Sequence, residues 1–299
     1  MYVVLGASGN TGHVVAKALL SNGQKVRAFG RNASHLQSLA AEGAEIFTGD
    51  VTDSGALAKA FQQADSAYVM IPPNTTTKDY RAFQDQARDA IANAVRNAGI
   101  QNIVTLSSLG AEKTSGTGPV VGLHNLEQEL NQISGANILH LRAGYFMENT
   151  LPQVGAIRMM GSAAGPVRPD LKLQMIASRD IGMIAAQALL GLAFRGKQTQ
   201  ELHGQRDIDY TEAASIIGNA IGKPNLAYIQ TTDSQFKAAV AQIGMSEDMA
   251  GLILEMAGAI NSGHMRALEP RTASNTTPTR FETFVTETFL PAYQQQAAA

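Results

Sequence analysis

Hydrophobic positions in the first half of the chain alternate between two spacings, one typical of buried strands and one typical of amphipathic helices. Residues 2–5 form a short apolar run, and apolar residues then recur at helical spacing from residue 12 to about residue 22. The same alternation continues to residue 142. It predicts strands at 2–5, 25–29, 45–48, 66–71, 103–107 and 138–142, separated by helices at 12–22, 34–41, 53–63, 78–98 and 120–133. Strands that alternate with helices predict βαβ units and a parallel sheet.

This rhythm changes after Gly144. Residues 151–170 are rich in Gly, Pro and Met and predict a loop, followed by a strand at 171–177 and a helix at 181–192. Short strands near Leu202 and at 226–231 are mixed with helices at 211–221, 233–243, 247–260 and 280–290, the last stopped by Pro291. We therefore predict an α/β fold with a Rossmann-type doubly wound parallel sheet. Its first domain spans 1–150, and a smaller α/β cap spans 151–299, with some segments returning to the first domain.

Composition narrows the classes of partner. The chain has 299 residues and a net charge of -2, which gives no electrostatic support for binding nucleic acid or an anionic membrane. It has no cysteine, and its six histidines show no metal-ligand spacing, so we expect no metal site. No apolar run reaches membrane-spanning length, and a strand beginning at residue 2 leaves no room for a signal peptide. We expect a cytoplasmic protein with a small-molecule substrate, and the sequence leaves a homodimer open.

Three glycines follow the first predicted strand and open the first helix. Gly6, Gly9 and Gly12 have the spacing G-x-x-G-x-x-G rather than the commoner G-x-G-x-x-G. Glycine permits a tight turn and a close backbone approach, and a helix N-terminus offers free N–H groups to a pyrophosphate. The strand–turn–helix context favours dinucleotide binding over a purely structural turn. The predicted cofactor contacts in this turn are Gly6, Ser8, Gly9, Asn10, Thr11 and Gly12.

The choice between NADP and NAD depends on the end of the second strand. An acidic residue there suits NAD, because it binds the ribose hydroxyls and repels a 2′-phosphate. This segment has no acid and ends at Arg31, whose guanidinium is suited to clamping a phosphate, although a solvated arginine is the alternative. The sequence therefore favours NADP(H) over NAD(H), which makes 1–150 the predicted NADP-binding domain and 151–299 mostly a substrate-binding cap. Asp50 and Val51 are candidates for the adenine, although Asp50 is as well suited to a turn or a helix cap. Ile71 and Pro72 are further predicted cofactor contacts.

These residues together resemble the NmrA-like branch of the atypical short-chain dehydrogenases/reductases. The resemblance is carried by the motif at 6–12, by Arg31, by segment 49–51, by 107–108 and by Leu-Arg-Ala-Gly-Tyr-Phe-Met-Glu-Asn at 141–149, and it covers nearly the whole chain. It implies a Rossmann-fold NAD(P) binder with a small cap domain. Some members resemble NADPH-dependent quinone or azo-dye reductases, and others are cofactor-binding regulators without turnover.

The Tyr–Lys pair of typical short-chain dehydrogenases is absent from this chain. In that pair a lysine four residues after the tyrosine lowers the tyrosine pKa and holds the ribose. None of the seven tyrosines here has a lysine four residues later. The absence puts ordinary alcohol–ketone interconversion and sugar epimerisation in doubt, since both need a strong proton relay.

Three residues remain as candidates for substrate chemistry. His124 lies three residues before Glu127 on a predicted helix, so the two share a face, and a neutral histidine there can donate to a substrate oxygen. The alternative is an ordinary exposed His–Glu pair. Ser107 ends the fifth strand at the carboxyl edge of the sheet, where such folds bind substrates. It is a candidate to hydrogen-bond the substrate or, as a further cofactor contact, the nicotinamide amide, and the alternative is that it only forms a turn. Tyr145, with Phe146, either flanks the nicotinamide or belongs to the core of the cap.

The sequence supports two functions. The first is an NADPH-dependent reductase of quinones or similar flat electrophiles, because a quinone accepts hydride readily and binding and orientation then supply most of the catalysis. The second is a non-catalytic NADP(H) sensor or regulator that acts through a protein partner. A sugar-nucleotide epimerase-like enzyme is disfavoured by the missing Tyr–Lys pair.

Overall fold

The computed structural model describes residues 1–298, which fold into alternating strands and helices. The strands are β1 (Tyr2–Leu5), β2 (Val26–Gly30), β3 (Glu45–Thr48), β4 (Ser66–Val69), β5 (Asn102–Ser108), β6 (Asn137–Ala143), β7 (Ala163–Gly165), β8 (Lys197–Leu202) and β9 (Tyr228–Gln230). The helices are α1 (Asn10–Ser21), α2 (Gln37–Ala41), α3 (Ser54–Phe61), α4 (Tyr80–Ala98), α5 (Val120–Asn131), α6 (Gln153–Met160), α7 (Ser178–Gly191), α8 (Tyr210–Ala220), α9 (Asp233–Gln242), α10 (Glu247–Asn261), α11 (Phe281–Phe284) and α12 (Leu290–Ala298).

Seven strands form one parallel sheet at the centre of the molecule. Their order is β3-β2-β1-β4-β5-β6-β8, and every neighbouring pair runs parallel. The order reverses between β1 and β4, and in such sheets the ligand cleft opens beyond the carboxyl ends of the strands at that point. The predicted Rossmann-type doubly wound fold is confirmed.

Apolar layers cover both faces of this sheet. Val3 and Leu5 pack into a cluster under α3, α4 and α5, while Val4 packs into the opposite cluster with Leu19 of α1. This alternation follows from the two-residue period of a strand, and burial on both faces explains why β1 is apolar throughout.

The segments after residue 150 divide between two parts of the structure. Helix α7 packs on α1, and β8 pairs with β6, so both belong to the layers of the central sheet. A third apolar cluster gathers α6, α8, α10 and α11 beside the carboxyl edge of the sheet, with Ile157, Ile217, Ile260 and Phe281 buried in it.

The predicted strand at 171–177 is wrong. This segment makes only isolated bridges, because its backbone groups bind two different neighbours. The Ile176 N–H donates to the Tyr145 carbonyl at 2.8 Å, whereas Leu173 exchanges hydrogen bonds with Ile208 at 3.0 Å. A segment whose partners change after two or three residues cannot form a continuous ladder.

The predicted stop at Pro291 is also wrong. Residues Val285–Phe289 widen into a π-helical turn, and the helix then continues through Pro291 to Ala298. A proline inside an α-helix lacks the N–H for the i−4 bond, and its ring clashes with that carbonyl. The wider turn just before Pro291 changes this spacing, so the helix accommodates the ring.

The contact between α1 and α7 depends on Gly182. An added Cβ at this position would lie 2.7 Å from the Val14 Cβ and 2.8 Å from the Thr11 carbonyl oxygen. Both distances are shorter than van der Waals contact, so a larger residue would push the two helices apart. Because α1 begins at the glycine turn, this packing also holds the turn against the sheet.

We expect Gly182→Ala to lower the free energy of unfolding by about 1–3 kcal/mol, the usual cost of overpacking. Gly191→Ala at the last residue of the same helix is the matched control, because an added Cβ there meets nothing within 4 Å. Its effect should stay within about 1 kcal/mol. Urea denaturation followed by circular dichroism measures both variants. Wild-type stability of Gly182→Ala would contradict the packing argument.

Candidate functional site

The turn between β1 and α1 requires glycine for two different reasons. Gly6 has a φ of +63°, in the left-handed region, and an added Cβ there would overlap the Met70 sulfur. At Gly12 an added Cβ would overlap the Gly6 carbonyl and lie 3.0 Å from the Leu5 carbonyl oxygen. The Gly9 N–H donates to the Gly6 carbonyl at 2.8 Å and closes the loop. The turn therefore brings the start of α1 directly against the end of β1.

Helix α1 begins without a side-chain cap. No side chain accepts a hydrogen bond from its first N–H groups, and its first turn contains no acidic residue. Asn10, Thr11 and Gly12 thus present backbone N–H groups at the positive end of the helix dipole. Such a helix start binds anions, and a phosphate is the natural ligand.

A cleft of ≈ 700 Å³ opens beside this turn. Eight of the residues predicted to contact a cofactor line it: Gly6, Ser8, Gly9, Asn10, Thr11, Arg31, Val51 and Pro72. Arg31 follows the last residue of β2, and its side chain is exposed. It makes no salt bridge with any residue that the structure describes, so its guanidinium can bind an anion in the cleft.

Four other predicted cofactor residues do not line the cleft, and one of them, Ser107, lines the second cavity described below. The Asp50 carboxylate accepts hydrogen bonds from the N–H and the hydroxyl of Thr52, at 2.9 and 2.7 Å, so it forms the turn that was the alternative. Ile71 is buried in the wall of a second cavity. The Cα of Gly12 faces the end of β1, where its missing side chain permits the approach of α1 to β1.

A smaller cavity of ≈ 260 Å³ adjoins the cleft and is lined mainly by apolar side chains. Met70, Leu106, Phe146 and Asn149 line both cavities, so the two meet at these residues. Apolar walls with a few polar groups are typical of small-molecule sites. Ser107 and Tyr145 are both in this wall, and Tyr145 also packs against the third apolar cluster.

Tyr145 presents a hydroxyl whose oxygen already accepts a hydrogen bond. The Tyr210 hydroxyl donates to it at 2.9 Å, and the two rings meet edge to face with centroids 6.2 Å apart. Tyr210 in turn stacks on Tyr228 at 4.2 Å. Because the Tyr145 oxygen is the acceptor, its own O–H is not used in the contact with Tyr210. Burial raises the pKa of Tyr145, so this hydroxyl stays a neutral donor at physiological pH.

Ser107 is held by a buried ion pair. Its hydroxyl donates to Glu127 Oε1 at 2.5 Å, and Glu127 also binds Arg142 through both carboxylate oxygens, at 3.0 and 2.6 Å. Glu127 is only 2% exposed, so the pair is shielded from water. The Ser107 proton is therefore committed to Glu127, and the side chain offers a bound molecule only its lone pairs.

His124 lines neither cavity. Its Nδ1 lies 2.8 Å from the Ala111 carbonyl oxygen, which fixes this nitrogen as the protonated donor. The alternative, an exposed pair with Glu127, does not form either, because that carboxylate is buried and binds Ser107 and Arg142. Leu123, the preceding residue, lines the apolar cavity instead. The structure therefore brings Ser107 and Tyr145 to one wall and leaves His124 outside it.

Sequence reasoning missed Tyr210 and the Glu127–Arg142 pair. Tyr210 is 65 residues from Tyr145, and no local pattern connects them. The ion pair did leave a signal, because Arg142 lies in a mostly apolar strand and a charged residue there needs a partner.

Two classes of site are absent from the described part of the chain. No group of three or more His, Cys, Asp or Glu side chains within it is arranged to hold a metal ion. None of its helices combines the length and the apolar character needed to span a membrane.

A family model and several known proteins match this chain. The model of the NmrA-like family matches residues 2–285. An NAD(P)H azoreductase from Xenophilus azovorans is 28% identical over 256 residues, covering 86% of both chains. Among solved structures, an NADPH-dependent quinone oxidoreductase of Escherichia coli, complexed with NADPH, has a TM-score of 0.80 at 24% identity and covers 97% of this chain and 100% of its own. The negative transcriptional regulator NmrA, complexed with NADP, has a TM-score of 0.68 at 16% identity over 99% of this chain and 97% of its own. These two structures share the fold of this chain.

We expect Glu127→Gln to lower the free energy of unfolding by about 3–5 kcal/mol, because it leaves the Arg142 charge buried without its closest partner. Glu129→Gln on the same helix is the matched control, since Glu129 pairs with Arg96 at 2.8 Å in an exposed position. That change should cost at most about 1 kcal/mol. Urea denaturation compares the two variants. Equal losses in the free energy of unfolding would contradict the prediction that the buried pair contributes more than the exposed one.

Proposed function

The chain belongs to the NmrA-like family, and we propose that it is an NADPH-dependent oxidoreductase that reduces quinones or similar flat electrophiles. The observation that carries the proposal is the junction of two unlike cavities. A polar cleft at the glycine turn meets an apolar cavity at Met70, Leu106, Phe146 and Asn149. This arrangement suits a nucleotide in the cleft and an aromatic ring in the cavity, with the reacting groups at the junction.

In this proposal the cleft holds NADP(H). The free N–H groups at the start of α1 bind the pyrophosphate, and the glycines at 6 and 12 leave the room that a side chain would fill. Arg31 binds the 2′-phosphate, which favours NADP(H) over NAD(H). Val51 and Pro72 supply apolar walls. When bound, the cofactor supplies a hydride to the substrate. The bound NADPH and NADP of the two solved neighbours support this choice.

Tyr145 is the proposed catalytic donor to the substrate oxygen. Negative charge develops on that oxygen during reduction, and a fixed neutral O–H directed at it stabilises the transition state. Tyr210 orients the donor, because its own hydroxyl occupies the Tyr145 oxygen as a hydrogen-bond donor. Ser107 accepts an N–H or O–H from the bound molecule, since its proton is held by Glu127. A hydroquinone anion takes its proton from water, so the missing Tyr–Lys pair is no obstacle.

A non-catalytic NADP(H) sensor is the second candidate. The position of His124 favours it, because the Ala111 carbonyl holds that ring outside both cavities. No histidine, aspartate or glutamate lines the apolar cavity within the described residues. The regulator NmrA shares this fold with NADP bound, which supports the same alternative.

The experiment that separates the two is stopped-flow NADPH absorbance with a panel of benzoquinones and naphthoquinones. We expect turnover by wild type and a kcat lowered about 10- to 100-fold in Tyr145→Phe, which removes one transition-state donor. Tyr228→Phe is the control, because the Tyr228 hydroxyl donates to the Val167 carbonyl at 3.0 Å and lines neither cavity.

If His124→Ala lowers kcat about 10- to 100-fold while Tyr145→Phe keeps the wild-type kcat, the donor role belongs to His124 instead. Wild-type protein that binds NADPH but reduces no quinone would favour the sensor.

The 2′-phosphate assignment has its own test. We expect Arg31→Gln to raise the Kd for NADPH about 10- to 100-fold while the Kd for NADH changes little, because only NADPH carries the phosphate. Lys59→Gln on α3 removes an exposed positive charge outside the cleft and controls for net charge. Fluorescence titration measures both cofactors. An equal loss of affinity for NADPH and NADH would contradict the assignment.

A further inference from the structure

One positive charge stands at the apolar cavity. Among the described residues that line it, Arg266 is the only one with a side chain charged at neutral pH. Arg266 is exposed and forms no salt bridge with any part of the chain that the structure describes. A guanidinium without a protein partner beside an apolar wall presents a flat set of donors that matches a carboxylate or a sulfonate.

The segment that carries Arg266 is anchored on both sides. On the C-terminal side, the buried Glu201 carboxylate at the end of β8 accepts the Leu268 N–H at 3.0 Å through each oxygen. On the N-terminal side, the Met265 N–H donates to the Ala259 carbonyl at 3.0 Å. The backbone of Arg266 is therefore held between two fixed points, which reduces the entropy lost when its side chain binds a ligand.

The residue before Arg266, Met265, contributes an apolar side chain to the wall of the same cavity. Met265 lines the cavity and packs on Gly110, where an added Cβ would come 2.6 Å from the Met265 Cγ. An apolar contact and a cation thus come from consecutive residues. Arg266 does not line the nucleotide cleft, where Arg31 is the cation, so the two arginines serve different ligands.

We propose that Arg266 binds an anionic substituent, a carboxylate or a sulfonate, on a flat aromatic substrate whose rings occupy the apolar cavity. The physical reason is the cost of burying a charge. An anionic group inside an apolar cavity would lose its hydration without compensation, whereas at an exposed guanidinium it gains a partner and keeps part of its water. This inference rests on the proposed reductase function for turnover, but the binding preference can be measured without turnover.

The kinetic test compares 1,4-naphthoquinone with 1,4-naphthoquinone-2-sulfonate. The two quinones differ in intrinsic reactivity, so the ratio of their kcat/KM values is compared between variants. We expect Arg266→Gln to lower the ratio of sulfonated to parent quinone about tenfold, and Arg266→Lys to restore part of it. Lys237→Gln, an equal change of net charge on the exposed face of α9, should keep the wild-type ratio. An unchanged ratio in Arg266→Gln overturns the proposal.

A binding measurement separates this proposal from the reductase function. Calorimetric titration of NADP⁺-loaded protein with 2-naphthalenesulfonate and with neutral 2-naphthol should show about tenfold weaker sulfonate binding in Arg266→Gln, with the preference reduced at high salt. If this loss is seen but no quinone is reduced, the anion subsite stands and the reductase proposal fails. If quinones are reduced but Arg266→Gln binds both ligands as wild type does, the subsite fails and the reductase proposal stands.

Discussion

The close approach of α1 to β1 is the constraint on which the rest of the structure depends. The Gly12 backbone lies against the Gly6 carbonyl, and a side chain at position 12 would separate helix from strand. Gly182 of α7 holds the same helix from outside. Tyr68 of β4 donates to the Thr11 hydroxyl at 2.9 Å and ties α1 to the neighbouring strand. These contacts place uncapped N–H groups at the point where the strand order reverses, and so they create the cleft.

A second constraint is the buried charge pair beneath the apolar cavity. Glu127 of α5 is buried and Arg142 of β6 is largely buried, and each charge is the closest partner of the other. Their contact fixes α5 against the sheet and commits the Ser107 hydroxyl to one direction. A polar group with a single orientation beside an apolar cavity is what a substrate site needs for selectivity, since a mismatched ligand leaves it unpaired.

The two cavities differ in polarity and therefore suit different parts of the bound molecules. The cleft offers backbone N–H groups and the Arg31 guanidinium, which suit phosphates. The apolar cavity offers the neutral hydroxyl of Tyr145, whose pKa burial raises, and no carboxylate or histidine among its described lining residues. Such a site orients and stabilises charge rather than moving protons. This chemistry suits the proposed substrates, which accept hydride easily, so the proposed reduction does not require the Tyr–Lys pair.

The sequence by itself determined the elements of the sheet and the position of the nucleotide turn. The strand at 45–48 coincides with β3, and Gly6, Gly9 and Arg31 line the cleft as expected, because these features depend on periodicity and on spacing within a few residues. Tertiary structure decided which side chains share a wall. It gave His124 and Glu127 different hydrogen-bond partners, although they lie on one helix. It also brought Tyr210 to Tyr145 from 65 residues away and placed Arg266 at the apolar cavity. It also paired the backbone of the apolar segment 171–177 with two different neighbours, so that no continuous strand forms there. The reason is that local patterns report burial and backbone geometry, whereas the choice of partner for a buried polar group depends on long-range packing that satisfies its hydrogen bonds.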